Sequence, residues 1–285
     1  MEKWIDLHAH TFYSDGKLSP SELVRYAREK GLAAIAVTDH DCITGIDEAI
    51  EAGKELGIEV IPGVELSAEY ANKSIHMIGL YIDHHSMDMD EITNAAREAH
   101  DERCRQIINK LEQLGFHGLS YEELQSKHIM KKPTGPHFCD YLVEKGYAQS
   151  ALEAREKYIA KGKAAYVEPI ENKLTIPEAV SLIHNAGGIA LWAHPILCRF
   201  EPSELEETVA AFKKMKVNGL EAYQSKHSKT EIQDIIGLAK KYDLLLSGGS
   251  DYHGNLDNDC ELGTICDGLR IPYSILDKMK SIFIK

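Results

Sequence analysis

Imidazole and carboxylate side chains recur at the ends of predicted strands along this 285-residue chain. His8 and His10 are two residues apart at the end of the first strand, so both side chains point to one side. Asp251 and His253 repeat this spacing after a strand near the C-terminus. The other members of the set are Asp15, His40, Glu65, His76 and His194. Five separate strand ends carry such groups, which indicates a metal site, because random placement would scatter them onto helix faces as well.

The mixture of donors predicts several metal ions. Imidazole and carboxylate without thiolate suit Mn, Fe or Zn, whereas Mg or Ca prefer mostly oxygen ligands. Nine donors are too many for one ion, so two or three ions that share a bridging carboxylate fit better. Metals about 3.5–4 Å apart clamp an in-line displacement at phosphorus, and they lower the pKa of a bridging water so that hydroxide becomes the nucleophile.

The charge balance agrees with bound cations. The chain has 32 Lys and Arg against 45 Asp and Glu, a formal net charge of −13, with 44% hydrophobic residues. These proportions are typical of a globular protein. A chain this acidic is not expected to bind long nucleic acid through a basic face. Metal ions would supply the local positive charge that an anionic substrate needs.

Membrane and secreted classes are disfavoured. No apolar run reaches the roughly 18 residues of a membrane helix. The N-terminal sequence MEKWIDLHAH has no signal-peptide core. Six cysteines are scattered without a C-x-x-C pair, which argues against a disulfide framework and against a thiolate zinc site. We therefore expect a cytoplasmic protein.

Strands alternate with helices in the first and last parts of the chain. The predicted strands are Trp4–Leu7, Ala33–Thr38, Glu59–Pro62, Ile75–Ile82, Gly188–Ala193, Gly219–Tyr223 and Leu244–Ser247. In this pattern Glu65 follows the third strand and His76 lies within the fourth. Alternation of strands and helices predicts an α/β fold with a parallel sheet. About seven strands with functional groups at their C-terminal ends favour a barrel.

A charged, helical segment interrupts this alternation. Its predicted helices are Asp90–Leu114, a short helix opened by Ser120–Glu123, Pro136–Lys145 and Ser150–Lys161. We interpret residues 89–165 as an inserted small helical cap domain, and residues 1–88 with 166–285 as the barrel domain.

The motifs resemble those of the PHP (polymerase and histidinol phosphatase) family of metal-dependent phosphoesterases. They are His8-Ala-His10, Asp15-Gly16, Thr38-Asp-His-Asp41, Pro62-Gly-Val-Glu65, Ala193-His-Pro195 and Ser250-Asp-Tyr-His-Gly254, in the family's order. The resemblance implies a distorted (β/α)7 TIM-like barrel with a trinuclear metal centre. The helical insertion is similar to that of the branch that removes phosphate from nucleoside 3′,5′-bisphosphates and trims short oligonucleotides.

The resemblance also implies a ligand set. His8, His10, Glu65 and Asp251 would surround the first metal. Glu65 would bridge to a second metal held by His76 and His194. Asp15, His40 and His253 would hold the third. The expected cofactors are two or three divalent ions, Mn²⁺ foremost, with Zn²⁺ or Fe²⁺ as alternatives.

Further positions resemble substrate-binding and catalytic residues of the family. Arg199 follows His194 on the same rim and resembles a phosphate-binding Arg. His227 follows another strand end and resembles a His that contacts phosphate or the leaving group. We therefore predict catalytic and substrate-binding roles for Arg199 and His227.

The insertion departs from the family pattern at one position. Gly135 stands where the branch has an Arg, in the stretch Thr134-Gly-Pro-His137-Phe138. Lys131 and Lys132 lie nearby and would replace that Arg as substrate-binding point charges, without its bidentate geometry. A solvated surface is the alternative interpretation of this pair. His137 either faces the cleft or packs inside the cap.

Three functions remain open at this point. The first is a phosphatase acting on a small phosphorylated substrate, a nucleoside 3′,5′-bisphosphate or short oligonucleotide. The second is histidinol-phosphate phosphatase, which would use the same metals with a different pocket. The third is a non-catalytic metal-binding module, which the complete donor set disfavours.

Overall fold

The computed structural model describes residues 2–127, 132–168, 173–254 and 260–283. The strands are β1 (Trp4–Asp6), β2 (Leu32–Val37), β3 (Glu59–Tyr70), β4 (Lys73–Leu80), β5 (Leu174–Thr175), β6 (Ile189–Trp192), β7 (Gly219–Gln224), β8 (Leu245–Gly249) and β9 (Ile271–Pro272). The α-helices are α1 (Pro20–Glu29), α2 (Ile46–Leu56), α3 (Met87–Gln113), α4 (Tyr121–Lys127), α5 (Gly135–Glu144), α6 (Ala151–Ala154), α7 (Ile176–Asn185), α8 (Pro202–Lys214), α9 (Lys229–Lys241) and α10 (Ser274–Phe283).

The strands form a nearly closed barrel. Their order in the sheet is β8-β7-β6-β4-β3-β2-β1-β9, and β5 pairs with β3. Hydrogen bonds just beyond β1 connect it to the β8 side: Leu7 N–H donates to Gly248 O at 3.1 Å, and Asp251 N–H donates to His8 O at 2.9 Å. The predicted distorted, TIM-like α/β barrel is therefore confirmed.

The predicted parallel sheet contains antiparallel pairs, at β9 with β1 and above all at β4. This strand pairs antiparallel with β3 along its whole length and antiparallel with β6. Only Ala71 and Asn72 connect β3 to β4, and both have a positive φ, of 51° and 59°. Such a two-residue connection makes a hairpin, because a parallel crossover needs a dozen or more residues. Glu65 accordingly lies inside the long β3 and not after it.

Alternating side chains of β2 pack into different parts of the core. Ala34 and Ala36 belong to one cluster with Ile5 of β1. Ile35 and Val37 belong to another cluster, beneath α1 and α2. This two-residue period is that of a strand buried on both faces, as its continuous apolar sequence predicts.

The helices of the insertion have a hydrophobic core of their own. Phe138, Tyr141 and Leu142 of α5 pack there against Cys104 and Leu111 of α3. The beginning of α3 packs differently, since Met89 belongs to the barrel core. The helix predicted over Ser150–Lys161 is instead the short α6 followed by a π-helical turn. The division at residues 89 and 165 stays a prediction.

Among the described residues, no helix combines the length and the hydropathy needed to cross a bilayer.

Candidate metal centre

Glu65 lies at the centre of the cluster of predicted ligands, and its side chain is fully buried. Its Oε2 atom is 3.2 Å from His8 Nε2 and 3.4 Å from His10 Nε2. The same oxygen is 3.0 Å from His40 Nδ1. Its other oxygen, Oε1, is 3.0 Å from His76 Nδ1 and 2.9 Å from His194 Nε2. One carboxylate thus joins five imidazoles that four different parts of the sequence supply.

Two further carboxylates extend the cluster on either side of His10. Asp251 Oδ1 is 3.2 Å from His10 Nε2 and 3.5 Å from His8 Nε2. Asp15 Oδ1 is 3.3 Å from His253 Nε2, and its Oδ2 is 3.9 Å from His40 Nε2. The structure therefore brings all nine predicted ligands together at one end of the barrel. Their assignment to individual ions stays a prediction.

Four buried donor atoms of this cluster have no hydrogen-bond partner among the residues that the structure describes. They are His8 Nε2, His10 Nε2, Asp15 Oδ1 and Glu65 Oε2. A buried polar atom left unsatisfied costs about 1–3 kcal/mol, so four at one place need a physical reason. Nitrogen and oxygen ligands at 2.0–2.2 Å around a tetrahedral ion lie roughly 3.3 Å apart. Because the imidazole–carboxylate separations match this spacing, the donor set fits divalent cations.

Burial and neighbouring charges shift the pKa values of the imidazoles in opposite directions. Burial and the nearby His253 and His40 rings lower the pKa of His10 to about 3, so this ring is neutral and ready to bind metal. Burial alone lowers the pKa of His40 too, but the Glu65 and Asp15 carboxylates outweigh it and raise that pKa to about 9. His40 therefore has to release a proton when a metal ion binds to it.

Glu221 of β7 supports two of the predicted ligands. It is fully buried, its Oε1 accepts from His8 Nδ1 at 2.9 Å, and its Oε2 accepts from the His194 backbone N–H at 2.7 Å. A proton held on Nδ1 leaves the Nε2 lone pair of His8 for a metal. Sequence reasoning missed this residue, although a lone Glu in the apolar strand Gly219–Gln224 was a usable signal.

Two other buried carboxylates tie the ligand-bearing loops to the barrel. Asp6 accepts from the backbone N–H and hydroxyl of Ser250, at 3.0 and 2.6 Å. Asp39 accepts from the backbone N–H and hydroxyl of Thr11, at 2.7 and 2.6 Å, and from the Ser14 hydroxyl at 2.6 Å. Burial raises the pKa of both carboxyls. These hydrogen bonds fix the positions of the ligand-bearing loops, and neither carboxylate belongs to the donor cluster.

A cavity of about 420 Å³ separates the cluster from the cap. Asp15, His40 and His76 line its barrel side. Its α3 side consists of Ile92, Ala95, Ala96 and Ala99, and its remaining polar lining includes His100, Arg103, Lys132, Thr134 and Lys173. Its volume is that of a small-molecule site.

The cap cations were only partly predicted. Lys132 lines the cavity, and its Nζ donates to His40 O at 3.4 Å. Arg103 was missed by sequence reasoning; its Nε donates to Val167 O at 3.0 Å. Within the described part of the chain, neither cation has a carboxylate within 4.0 Å. Lys131 lies outside the described residues.

Gly135 and His137 begin α5 next to the cavity. Among the described residues, a Cβ atom at Gly135 would approach only Ile159 Cγ2, at 3.9 Å, which leaves room for a side chain on that side. His137 Nδ1 accepts from the Thr134 backbone N–H at 2.9 Å and thereby caps the helix. Of the two interpretations of His137, this bond favours packing within the cap.

Arg199 and His227 lie outside the described lining of this cavity. Arg199 is exposed, and its backbone carbonyl accepts from Lys73 Nζ at 2.8 Å. His227 is buried, its Nδ1 donates to Ala222 O at 3.1 Å, and its Nε2 has no hydrogen-bond partner in the described part of the chain. Burial lowers the pKa of His227. Their predicted contacts with phosphate stay predictions.

Comparison with known proteins agrees with this geometry. The PHP domain model matches residues 6–161. A 5′-3′ exoribonuclease of Haemophilus influenzae is 36% identical over 253 residues, which cover 89% of this chain and 91% of the relative. A 3′,5′-nucleoside bisphosphate phosphatase of Chromobacterium violaceum is 30% identical over 259 residues, covering 91% and 90% of the two chains.

A solved structure shares the whole architecture. A Bifidobacterium adolescentis protein assigned as a metal-dependent phosphoesterase superposes with a TM-score of 0.79 at 25% identity, covering 98% of this chain and 96% of its own. The predicted resemblance is thus confirmed by family model, by sequence relatives and by fold. The chain belongs to the PHP family, and it is a metal-dependent phosphoric ester hydrolase.

Proposed function

We propose that this enzyme removes a phosphate from nucleoside 3′,5′-bisphosphates or trims short oligonucleotides. The observation that carries the proposal is the cavity between the donor cluster and the cap, with Arg103 and Lys132 in its lining. A substrate of this class has two anionic groups, one to react at the metals and one to bind elsewhere. The cavity offers cations for the second group.

The nine clustered imidazoles and carboxylates are proposed to hold two or three divalent ions, with Mn²⁺ foremost and Zn²⁺ or Fe²⁺ as alternatives. When bound, the ions stabilise charge on phosphate oxygens and lower the pKa of coordinated water. Glu65 joins the two sides of the cluster, and Glu221 fixes the orientation of His8. The protein thereby presents the donors already arranged, which reduces the reorganisation that binding and reaction require.

The cations of the cap are conspicuous in a chain with a net charge of −13. Other Lys residues of the described chain form exposed ion pairs with carboxylates, such as Lys157 with Glu153. Arg103 and Lys132 line the same cavity as Asp15, but among the described residues no carboxylate lies within 4.0 Å of either cation. A guanidinium and an ammonium group in that position favour an anionic substrate group.

Arg199 is proposed to bind the reacting phosphate, and His227 is proposed to contact the phosphate or the leaving group. Because a carbonyl only accepts, the His227 Nδ1–H donates to Ala222 O, and the buried Nε2 carries the lone pair. Nε2 is then able to accept a hydrogen bond from a hydroxyl of the substrate. Arg199 stands exposed on the loop after His194 and would bind phosphate oxygens from the solvent side.

A panel of substrates tests the proposal. The Mn²⁺-loaded enzyme would be assayed for release of inorganic phosphate from adenosine 3′,5′-bisphosphate, of a mononucleotide from a 5′-phosphorylated dinucleotide, and of inorganic phosphate from histidinol phosphate. We expect release from the first two at a kcat/KM at least about tenfold above that for histidinol phosphate. Preference for histidinol phosphate would replace the proposed substrate. Equal, slow release from all three would leave a phosphoesterase without nucleotide preference and would overturn the role of the cavity.

A further inference from the structure

A second group of metal-ligating side chains lies on the outer surface of the barrel. Asp47 belongs to the first turn of α2, whereas His84 and His85 follow β4 directly before α3 begins. None of the nine clustered donors takes part in this group, which is here called the outer triad. It lies where the chain passes from the barrel into α3, the first helix of the cap.

The three side chains of the outer triad converge on one oxygen atom. Asp47 Oδ1 is 2.8 Å from His84 Nε2 and 3.5 Å from His85 Nε2. One ligand atom from each residue lies within 4.8 Å of the other two. The two imidazole rings are 4.2 Å apart between centroids. The distances between these donor atoms are close to those between the ligands of a single metal ion.

An ordinary surface ion pair explains only part of this arrangement. His84 is 13% exposed, and its hydrogen bond to Asp47 would suffice for a pair. His85 is 67% exposed, and its Nε2 nevertheless lies 3.5 Å from the same Asp47 oxygen that His84 contacts. The pair between Asp47 and His84 does not require this second imidazole, whereas a metal ion would be held by all three side chains. The convergence of the second imidazole therefore points to a ligand.

The geometry points to a divalent-cation site at the outer triad, additional to the ions of the catalytic centre. We propose that Asp47, His84 and His85 bind one ion of the class of Zn²⁺, Ni²⁺ or Cu²⁺, for which two imidazoles and one carboxylate are suitable ligands. The exposure of Asp47 and His85 leaves further coordination positions to water, so the ion is exchangeable.

Such an ion would cross-link two segments of the barrel. Asp47 and His84 are 37 residues apart in the sequence. His85 lies two residues before α3, whose Ile92, Ala95, Ala96 and Ala99 form one side of the catalytic cavity. An ion at the outer triad would therefore stabilise the N-terminal end of α3, the helix that lines this side of the cavity. Its role is structural, and it takes no part in the hydrolytic step.

Metal counting tests this site in the Mn²⁺-loaded enzyme. The wild type and the variants His85→Ala and Asp47→Ala would be dialysed against the same free Zn²⁺ concentration. Manganese and zinc per chain would then be summed by elemental analysis, so that exchange at the catalytic centre does not change the total. His117→Ala is the matched control, because it removes an exposed imidazole elsewhere on the surface.

We expect the wild type and His117→Ala to hold one more ion per chain than Asp47→Ala and His85→Ala. Zn²⁺ should also raise the Tm of the wild type and of the control by more than it raises the Tm of the two triad variants. Equal metal totals in all four proteins would overturn the proposal. A zinc-dependent rise in Tm that is as large in His85→Ala and Asp47→Ala as in the wild type would overturn the cross-link.

Discussion

The barrel and the cap contribute different kinds of group to one cavity. The barrel supplies imidazoles and carboxylates that are largely buried and held by neighbouring carboxylates such as Glu221. The cap supplies small apolar side chains from α3 and half-buried cations such as Arg103 and Lys132. The first set is suited to metal chemistry, and the second is suited to binding a substrate. Hydrolysis and substrate choice are therefore separable by mutation.

The largest effect is expected from Glu65→Gln. Glu65 contacts imidazoles through both oxygens, so the change weakens more than one ion position at once. Phosphate release should fall by a factor on the order of 10³ with every substrate, and the metal content should fall with it. Glu69→Gln alters an exposed residue of the same strand and should leave both unchanged. A variant that keeps its metals and its activity would refute the bridging role.

Glu221→Gln should have a smaller effect on the same chemistry. The amide keeps the size of the side chain but loses the charge that faces His8 Nδ1 and the backbone of His194. Metal affinity and kcat should fall by about 10–100-fold, while the Tm of the metal-free protein shows whether folding is affected. The exposed Glu207→Gln on α8 is the control. An unchanged affinity would mean that Glu221 supports the fold alone.

Arg103→Ala should separate the cap from the barrel. Loss of a charge-assisted hydrogen bond to an anion should raise KM for a nucleoside 3′,5′-bisphosphate by about tenfold or more. Hydrolysis of p-nitrophenyl phosphate, which has no second anionic group, should stay constant, as should metal content. Arg97→Ala removes an exposed guanidinium from the same helix and serves as the control. An equal fall in kcat/KM with both substrates would contradict the separate roles of the cap and the barrel.

The smallest effect is expected from Ala99→Leu. This residue lies on the α3 side of the cavity and is partly buried, so a larger side chain would take up room. KM for the bisphosphate should rise several-fold, about 1 kcal/mol in binding, with p-nitrophenyl phosphate unaffected. Glu98→Leu, at an exposed neighbouring position, should behave like the wild type. A lower KM for the bisphosphate would show that the space beside Ala99 does not limit substrate binding.

The donor cluster was predictable because its signal is local. His8, His10, His40, His194 and Asp251 follow short apolar runs, and parallel strands bring such ends together. Glu65 and His76 instead lie within the antiparallel pair β3 and β4, and Asp15 lies in a turn. The antiparallel β4 was not predictable in the same way, since Ile75–Ile82 is an apolar run in either direction. The turn at Ala71 and Asn72, which decides the direction, contains no glycine to mark its positive φ angles.

The cap lining was harder to predict for a physical reason. Arg103 lies on the 27-residue α3, where charged residues are frequent on every face. Which face meets the barrel depends on packing at both ends of this helix, with Met89 in one core and Cys104 in another. No short sequence motif shows which face of α3 meets the barrel. The residues of the cap that contact substrate therefore needed the structure.

Anomalous diffraction at the manganese edge tests the central claim most directly. Crystals of the Mn²⁺-loaded enzyme should show two or three peaks beside Glu65, each bounded by members of the nine-residue cluster. One of these peaks should lie between Glu65 and the pair His76 and His194. A single peak that does not contact Glu65, or no peak at this end of the barrel, would contradict the account.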